Sequence, residues 1–318
     1  WVWWGKKPFD SYNDSIPRFM AEFGFQSFPE FNSVKKYTLP EDYSIYSDVM
    51  KSHQRSSIGN ETIEEYLLRD YNQPKDFENL LYVSQLLQAH GIKIGIEAHR
   101  RNRPRCMGSL YWQLNDCWPV ASWSGIDYYG KWKALHYTVK DVFSNFLISH
   151  EELDDRFNIF VISDSLDSID ATLKLRLIDF EGNELKKWSE EINVVSSSSA
   201  IKMNLLKSEL LDESRLKDKL LLLELIDKSN NILTQNKIYF APFKELELSK
   251  PNLSYSILEK EDVFEVILRT EKLAKDVFLV SSSTSNFSDN FFDLLPGIEK
   301  KVFIEKGKFQ DLQSFENN

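Results

Sequence analysis

Between residues 171 and 177 apolar side chains fall at every second position, with Thr172, Lys174 and Arg176 between them. That is the period of an antiparallel strand with one face buried. Gly182-Asn183 and Asn230-Asn231 supply turns on either side of such segments. Further strands are predicted at 157–163, 191–195, 220–227, 233–240, 264–269, 277–281 and 301–304. Strands at this spacing, separated by polar turns, predict β-sandwiches. Ala241-Pro242 interrupts the series and marks a boundary between two of them. Serine runs at 196–199 and 281–283 read as loops or strand edges, and no internal repeat of fixed period occurs.

The first 150 residues are patterned differently. Residues 18–25 are short, aromatic-rich and bounded by Pro17 and Gly24, which predicts a strand ending in a turn, with the carboxylate of Glu22 inside it. A Ser- and Asn-rich stretch reads as loop. Phe77, Leu80, Leu81 and Leu87 then recur at helical spacing behind Asp76, a good N-cap. This helix is expected to fade between residues 91 and 105, where Gly91 opens the stretch and Pro104 opposes continuation. A strand follows at 107–114, then a turn-rich loop and a helical run at 131–143. Strand, helix, strand, helix is the order of crossover units on a parallel sheet. The fold class is therefore α/β followed by all-β.

Composition sharpens that division. Of 318 residues, 42% are apolar and 28% charged, with a net charge of −10. Residues 1–150 carry 17 basic and 17 acidic side chains, and residues 151–318 carry 22 and 32. Seven of the eight tryptophans lie in the first part. An acidic chain without a long basic stretch argues against a nucleic-acid partner. No run of 18 apolar residues predicts a membrane span, and the opening Trp-Val-Trp-Trp has neither the basic start nor the apolar core of a signal peptide. The absence of an initiator Met suggests a cut chain. Cys106 and Cys117 are too few for a disulfide framework or a structural zinc site. The extended segment between them would hold the thiols on the order of 20 Å apart. The five histidines show no metal-ligand spacing, so no metal is expected.

Two places carry candidate chemistry. Glu22, flanked by Phe19, Met20, Phe23 and Phe25, is costly to bury unless it pairs with Arg18 or another arginine, or serves a function. The second is Tyr111-Trp112-Gln113-Leu114-Asn115-Asp116-Cys117-Trp118-Pro119, followed by Ser122-Trp123-Ser124. Indoles stack on the apolar faces of sugars, while amides and carboxylates bind their hydroxyls. The alternative is that Trp112 and Trp118 only pack. Arg100, Arg101, Arg103 and Arg105 read as a solvated helix end, and Glu97 as an ion-pair partner of that cluster.

Three segments together resemble a known family: WVWWGKKPF at 1–9, RFMAEFGFQS at 18–27, and GSLYWQLNDCWPVASWSGIDYYGKWKALHY at 108–137. They resemble the β-mannosidases of glycoside hydrolase family 2, with the WQLND-x-WP block nearer to that branch than to galactosidases or glucuronidases. The resemblance covers residues 1 to about 145 closely and the remainder weakly. It implies the C-terminal portion of a (β/α)8 barrel at 1–145, an immunoglobulin-like sandwich at 146–243 and a second, truncated one at 244–318. It also implies hydrolysis of terminal β-mannosides with retention, with Glu22 matching the nucleophile at the end of the seventh barrel strand. Retaining chemistry uses two carboxyls about 5 to 5.5 Å apart. The family's acid/base Glu lies well before the nucleophile, so it is expected in a missing N-terminal half of the same protein. Glu97 does not match it. Trp112 matches the indole floor of the sugar subsite, Asn115 and Asp116 orient sugar hydroxyls or hold the loop, and Trp3 lines the cleft or packs. The implied partner is a β-mannoside glycan, and no organic cofactor is implied. The implied compartment is outside the cytoplasm, periplasmic or extracellular, and lysosomal in an animal. Exo-β-glucosaminidases are the nearest competitor, and a carbohydrate-binding module without catalysis is the alternative of another class.

Overall fold

A computed structural model describes residues 6–210, 216–281, 285–307, 312 and 315. Among these residues the structure is dominated by β-sheet. The strands are β1 (Met20–Phe23), β2 (Ser109–Tyr111), β3 (Phe146–Leu153), β4 (Arg156–Ser163), β5 (Ile169–Asp179), β6 (Glu184–Val194), β7 (Ser198–Leu206), β8 (Lys219–Asp227), β9 (Ile232–Tyr239), β10 (Ser254–Glu259), β11 (Val263–Arg269), β12 (Ala274–Val277), β13 (Phe292–Leu294) and β14 (Lys300–Glu305). The helices are α1 (Phe31–Val34), α2 (Asp48–Ser52), α3 (Gly59–Asp70), α4 (Phe77–Arg101), α5 (Ala134–Val142) and α6 (Lys207–Leu210).

β1 and β2 pair in parallel, Met20 opposite Ser109 and Phe23 opposite Tyr111. Parallel neighbours need a long crossover, and here it contains α1 to α4. Asp76 caps α4 as its sequence predicts, its carboxylate accepting from the Asn79 amide at 2.8 Å. The helix does not fade at Gly91. It runs through Gly91 and Gly95 to Arg101, because both glycines face rings and not turns. A Cβ on Gly91 would stand 2.3 Å from the Phe9 ring, and one on Gly95 would stand 2.7 Å from Phe23. These glycines let α4 press against the aromatic layer of Phe9, Tyr12, Phe23 and Phe25. The Ser- and Asn-rich stretch also holds a helix, α3, whose Ile63, Tyr66 and Leu67 join that core.

Two antiparallel sheets follow, β3-β4-β7 and β6-β5-β8-β9. Their apolar faces share one core, built from Ile148, Ile159 and Val161 on one side and Leu173, Leu175, Leu221 and Leu223 on the other. The alternation that marked residues 171–177 is the buried face of β5. Beyond residue 250, β10-β11-β14 and β12-β13 enclose a smaller core around Phe264, Val266 and Val302. The predicted strand at 277–281 falls mostly beyond β12, which ends at Val277, and β3, β7, β10 and β13 were not anticipated.

The arginine stretch ending α4 is solvated only at its far end, where Arg105 is exposed and Arg103 half-buried. Arg100 and Arg101 are buried. Arg100 pairs with Asp164 at 2.9 Å and also donates to the Val142 carbonyl, while Arg101 donates to Ser149 Oγ and Asn13 Oδ1, both at 2.6 Å. Glu97 is buried beside them. It accepts from Ser149 Oγ at 2.7 Å and Asn236 Nδ2 at 3.0 Å, with Lys93 Nζ 3.6 Å away and Arg101 3.9 Å away. Burial alone would raise its pKa, but Lys93 and Arg101 outweigh that and hold it below the usual value. Among the described residues no helix is long and apolar enough to cross a membrane.

Candidate active site

The parallel pairing of β1 with β2 brings the two candidate segments together. The Trp112 amide donates to the Phe23 carbonyl at 2.7 Å. The next residue must be glycine for this approach, since a Cβ on Gly24 would lie 2.3 Å from the Trp112 carbonyl oxygen. Beyond Gly24 the chain continues buried, and Ser27 exchanges backbone hydrogen bonds with Ser122 at 3.0 and 3.3 Å. Two contact points, Phe23–Trp112 and Ser27–Ser122, thus pin both ends of the Trp112-to-Ser122 loop against the strand that carries Glu22.

Lys133, wholly buried at the start of α5, secures the second point from inside. Its Nζ donates to the Ser27 carbonyl at 3.1 Å and the Ser122 carbonyl at 3.3 Å. Burial lowers the ammonium pKa to about 8, opposed by the negative charges of Asp116 and Asp127.

Asp116 is buried, and its carboxylate is engaged on both oxygens. Ser122 Oγ donates to one at 2.7 Å, with Gln113 Nε2 at 3.2 Å, and Ser124 Oγ donates to the other at 2.5 Å. The carboxylate thereby ties Gln113, Ser122 and Ser124 together. Asn115 is exposed, and its amide reaches the Asp116 carbonyl at 3.4 Å.

The loop frames a cleft of about 640 Å³ lined by Arg55, Ser56, Ser57, Trp112, Gln113, Asn115, Asp116, Cys117, Trp118 and Trp123. Trp112 is 45% exposed and Trp118 37% exposed, so neither indole is core. Glu22 is exposed, not buried as its aromatic neighbours suggested, and it is not among the cleft-lining residues. Trp3 lies outside the described residues. Cys117 is a free thiol exposed in the cleft, and Cys106 is free and buried. No group of three or more His, Cys, Asp or Glu among the described residues is placed to hold a metal ion.

Sequence reasoning missed the segment 53–57, which lines the cleft alongside the loop. Ala121 and the segment are joined by two backbone hydrogen bonds, Ala121 N to the His53 carbonyl at 2.8 Å and Arg55 N to the Ala121 carbonyl at 3.0 Å. The His53 ring meets the Pro119 carbonyl through Nδ1 at 2.6 Å, stacks on Tyr37 at 4.2 Å and lies 5.8 Å from the Trp118 ring. The pairing is between residues more than 60 positions apart in an irregular stretch, so no local period announces it.

Comparison with known proteins shows what this chain is similar to. Residues 155–245 match the family described as a mannosidase Ig/CBM-like domain, and residues 248–318 match an Ig-fold domain family. β-Mannosidase B of Aspergillus fumigatus is 26% identical across 96% of this chain, and β-mannosidase of Rattus norvegicus is 28% identical across 86%. The crystal structure of β-D-mannosidase from Dictyoglomus thermophilum superposes with a TM-score of 0.88 and 30% identity over 96% of the chain.

The chain is homologous to part of these β-mannosidases. It spans 38% of the Aspergillus β-mannosidase, 34% of the rat β-mannosidase and 37% of the Dictyoglomus β-mannosidase chain. Its likeness to them therefore extends across the cleft-bearing part as well as the sandwiches. The exo-chitosanase CsxA of Amycolatopsis orientalis, 17% identical with a TM-score of 0.72, shares the fold.

Proposed function

We propose that this chain supplies the nucleophile and part of the sugar site of a retaining exo-β-mannosidase that releases terminal β-D-mannose from glycans. One observation carries the reading. The parallel register of β1 and β2 sets the Glu22-bearing strand against the Trp112 loop, whose exposed indoles and Asn115 amide line one cleft with buried Asp116 behind them. In this reading Glu22 attacks the anomeric carbon, Trp112 is the floor beneath the terminal sugar, and Asn115 orients a hydroxyl while Asp116 keeps the loop in shape. The general acid/base carboxyl comes from outside these residues. Residues 1–145 are then the C-terminal portion of a (β/α)8 barrel, with immunoglobulin-like sandwiches at 146–243 and 244–318. The substrate is an extracellular or periplasmic glycan, and the protein is exported to meet it.

The test is a covalent trap. A 2-deoxy-2-fluoro-mannosyl fluoride, incubated with the protein expressed at the length of its relatives, is expected to label the peptide containing Glu22. Glu22→Gln is expected to abolish both labelling and turnover. Label on another carboxylate, or a Glu22→Gln variant keeping more than a few per cent of activity, overturns the assignment. The 318-residue chain alone is expected not to hydrolyse aryl mannosides, since general acid assistance is usually worth about 10² to 10⁴ in rate. The exo-chitosanase fold neighbour makes a glucosaminide the comparison substrate, and a preference for it over the mannoside replaces the sugar specificity proposed here.

A further inference from the structure

Arg55 stands out among the residues lining the cleft. It is exposed, lines the same cleft as Trp112 and Trp118, and has no ion pair or side-chain hydrogen bond among the described residues. A guanidinium offers five donors in a fixed plane and accepts nothing, so it is built to receive oxygen acceptors from a ligand. The acidic group that shares the cleft lining, Asp116, has both oxygens taken by Ser122, Ser124 and Gln113. The Arg55 backbone is also fixed. The paired hydrogen bonds between residues 53–55 and Ala121 tie it to the loop bearing Trp118, and His53 packs beside the Trp118 ring. Arg55 and Trp118 therefore form one wall whose parts cannot drift independently.

We infer that Arg55 is a specificity-determining residue for the leaving-group side of the substrate, donating to the hydroxyl and ring oxygens of a second hexose that lies along Trp118. The inference rests on the function proposed above. With the terminal sugar over Trp112, the remainder of a glycan must leave the cleft past its exposed wall. The cleft, at about 640 Å³, has room for more than one pyranose ring. An indole face for the apolar side of the ring, beside a planar donor for its oxygens, is the pairing that a neutral hexose requires.

The experiment compares kcat/KM for β-1,4-mannobiose and for 4-nitrophenyl β-mannoside, using the protein at the length of its relatives. Arg55→Ala is expected to lower the value for the disaccharide at least tenfold more than for the aryl glycoside, chiefly through KM. Arg55→Lys is expected to restore part of that difference, because it returns a donor without the planar fork. Equal losses on both substrates, or no loss on either, overturn the inference. A wild-type protein that cleaves neither mannoside but cleaves another aryl hexoside refutes the proposed sugar specificity instead. The matching disaccharide of that hexose then tests Arg55 in the same way.

Discussion

Lys133 is expected to contribute a stability to the cleft-bearing part that rises with pH. Its ammonium is wholly buried, and its pKa falls from 10.5 to about 8 on folding. A lysine whose folded pKa lies below its unfolded one binds fewer protons in the native state between those two values. Stability therefore increases as pH rises through that window. At 1.36 kcal/mol per unit the full linkage is about 3.4 kcal/mol, of which about 2.5 kcal/mol is gained between pH 7 and pH 10. Lys133→Met removes the titrating group and replaces it with an apolar chain of similar length. Buried tyrosines such as Tyr12 and Tyr37, whose pKa values are raised by burial, oppose the gain near pH 10, but they do so equally in both proteins. The measurement is urea unfolding of wild type and Lys133→Met at half-unit steps from pH 7 to 10, followed by tryptophan fluorescence. Seven of the eight tryptophans lie in residues 1–150, so the signal reports on the part that holds Lys133. The wild-type stability minus that of the variant is expected to climb by about 2.5 kcal/mol. A difference that stays flat across the window refutes the buried charge.

Two further outcomes follow from buried and exposed groups already described. Glu97→Ala removes the carboxylate facing Lys93 and Arg101 and should cost about 3 to 5 kcal/mol in denaturant unfolding. Because that carboxylate's folded pKa is depressed, its contribution is present above its unfolded value of 4.5 and is lost as pH falls through the folded one, and a variant matching wild type at neutral pH contradicts the role. Cys117, exposed in the cleft, should react with iodoacetamide under native conditions while buried Cys106 stays unmodified, as read by peptide mass spectrometry. Equal labelling of both would show that Cys106, between α4 and β2, is not buried as described.

Elements with a short, clean period were legible from the chain. The alternation at 171–177 became the buried face of β5, and Asp76 capped α4 where its side chain predicted. What stayed hidden depended on partners distant in sequence. Gly91 looks like a helix terminator until Phe9 is placed against it. The arginines of α4 look solvated until Asp164, Ser149 and Asn13 arrive from other elements. The strands β7 and β10, with patterns weakened by serine and lysine, show little alternation because they are only partly buried. Likewise, the indoles of the cleft could be proposed from their residue types, but the wall of Arg55 could not. Its position is set by backbone hydrogen bonds to Ala121, which are indifferent to side-chain identity.

The chain around and after β12 also closes over α4 and α5. Trp132 N donates to Asn286 Oδ1 at 2.9 Å, Tyr137 Oη to the Phe287 carbonyl at 3.2 Å, and Lys140 Nζ to the Ser288 carbonyl at 2.8 Å. The Tyr82 hydroxyl donates to the Asp276 carbonyl, and its ring stacks on Phe278 at 5.5 Å. On a ribosome, the side of α4 and α5 that meets these partners emerges on the order of ten seconds before they do, at roughly 5 to 20 residues per second. Through that interval the cleft-bearing part must persist with one flank unfinished. A ribosome stalled just past the middle sandwich would hold it in that state, making the final strands the timing signal for its completion.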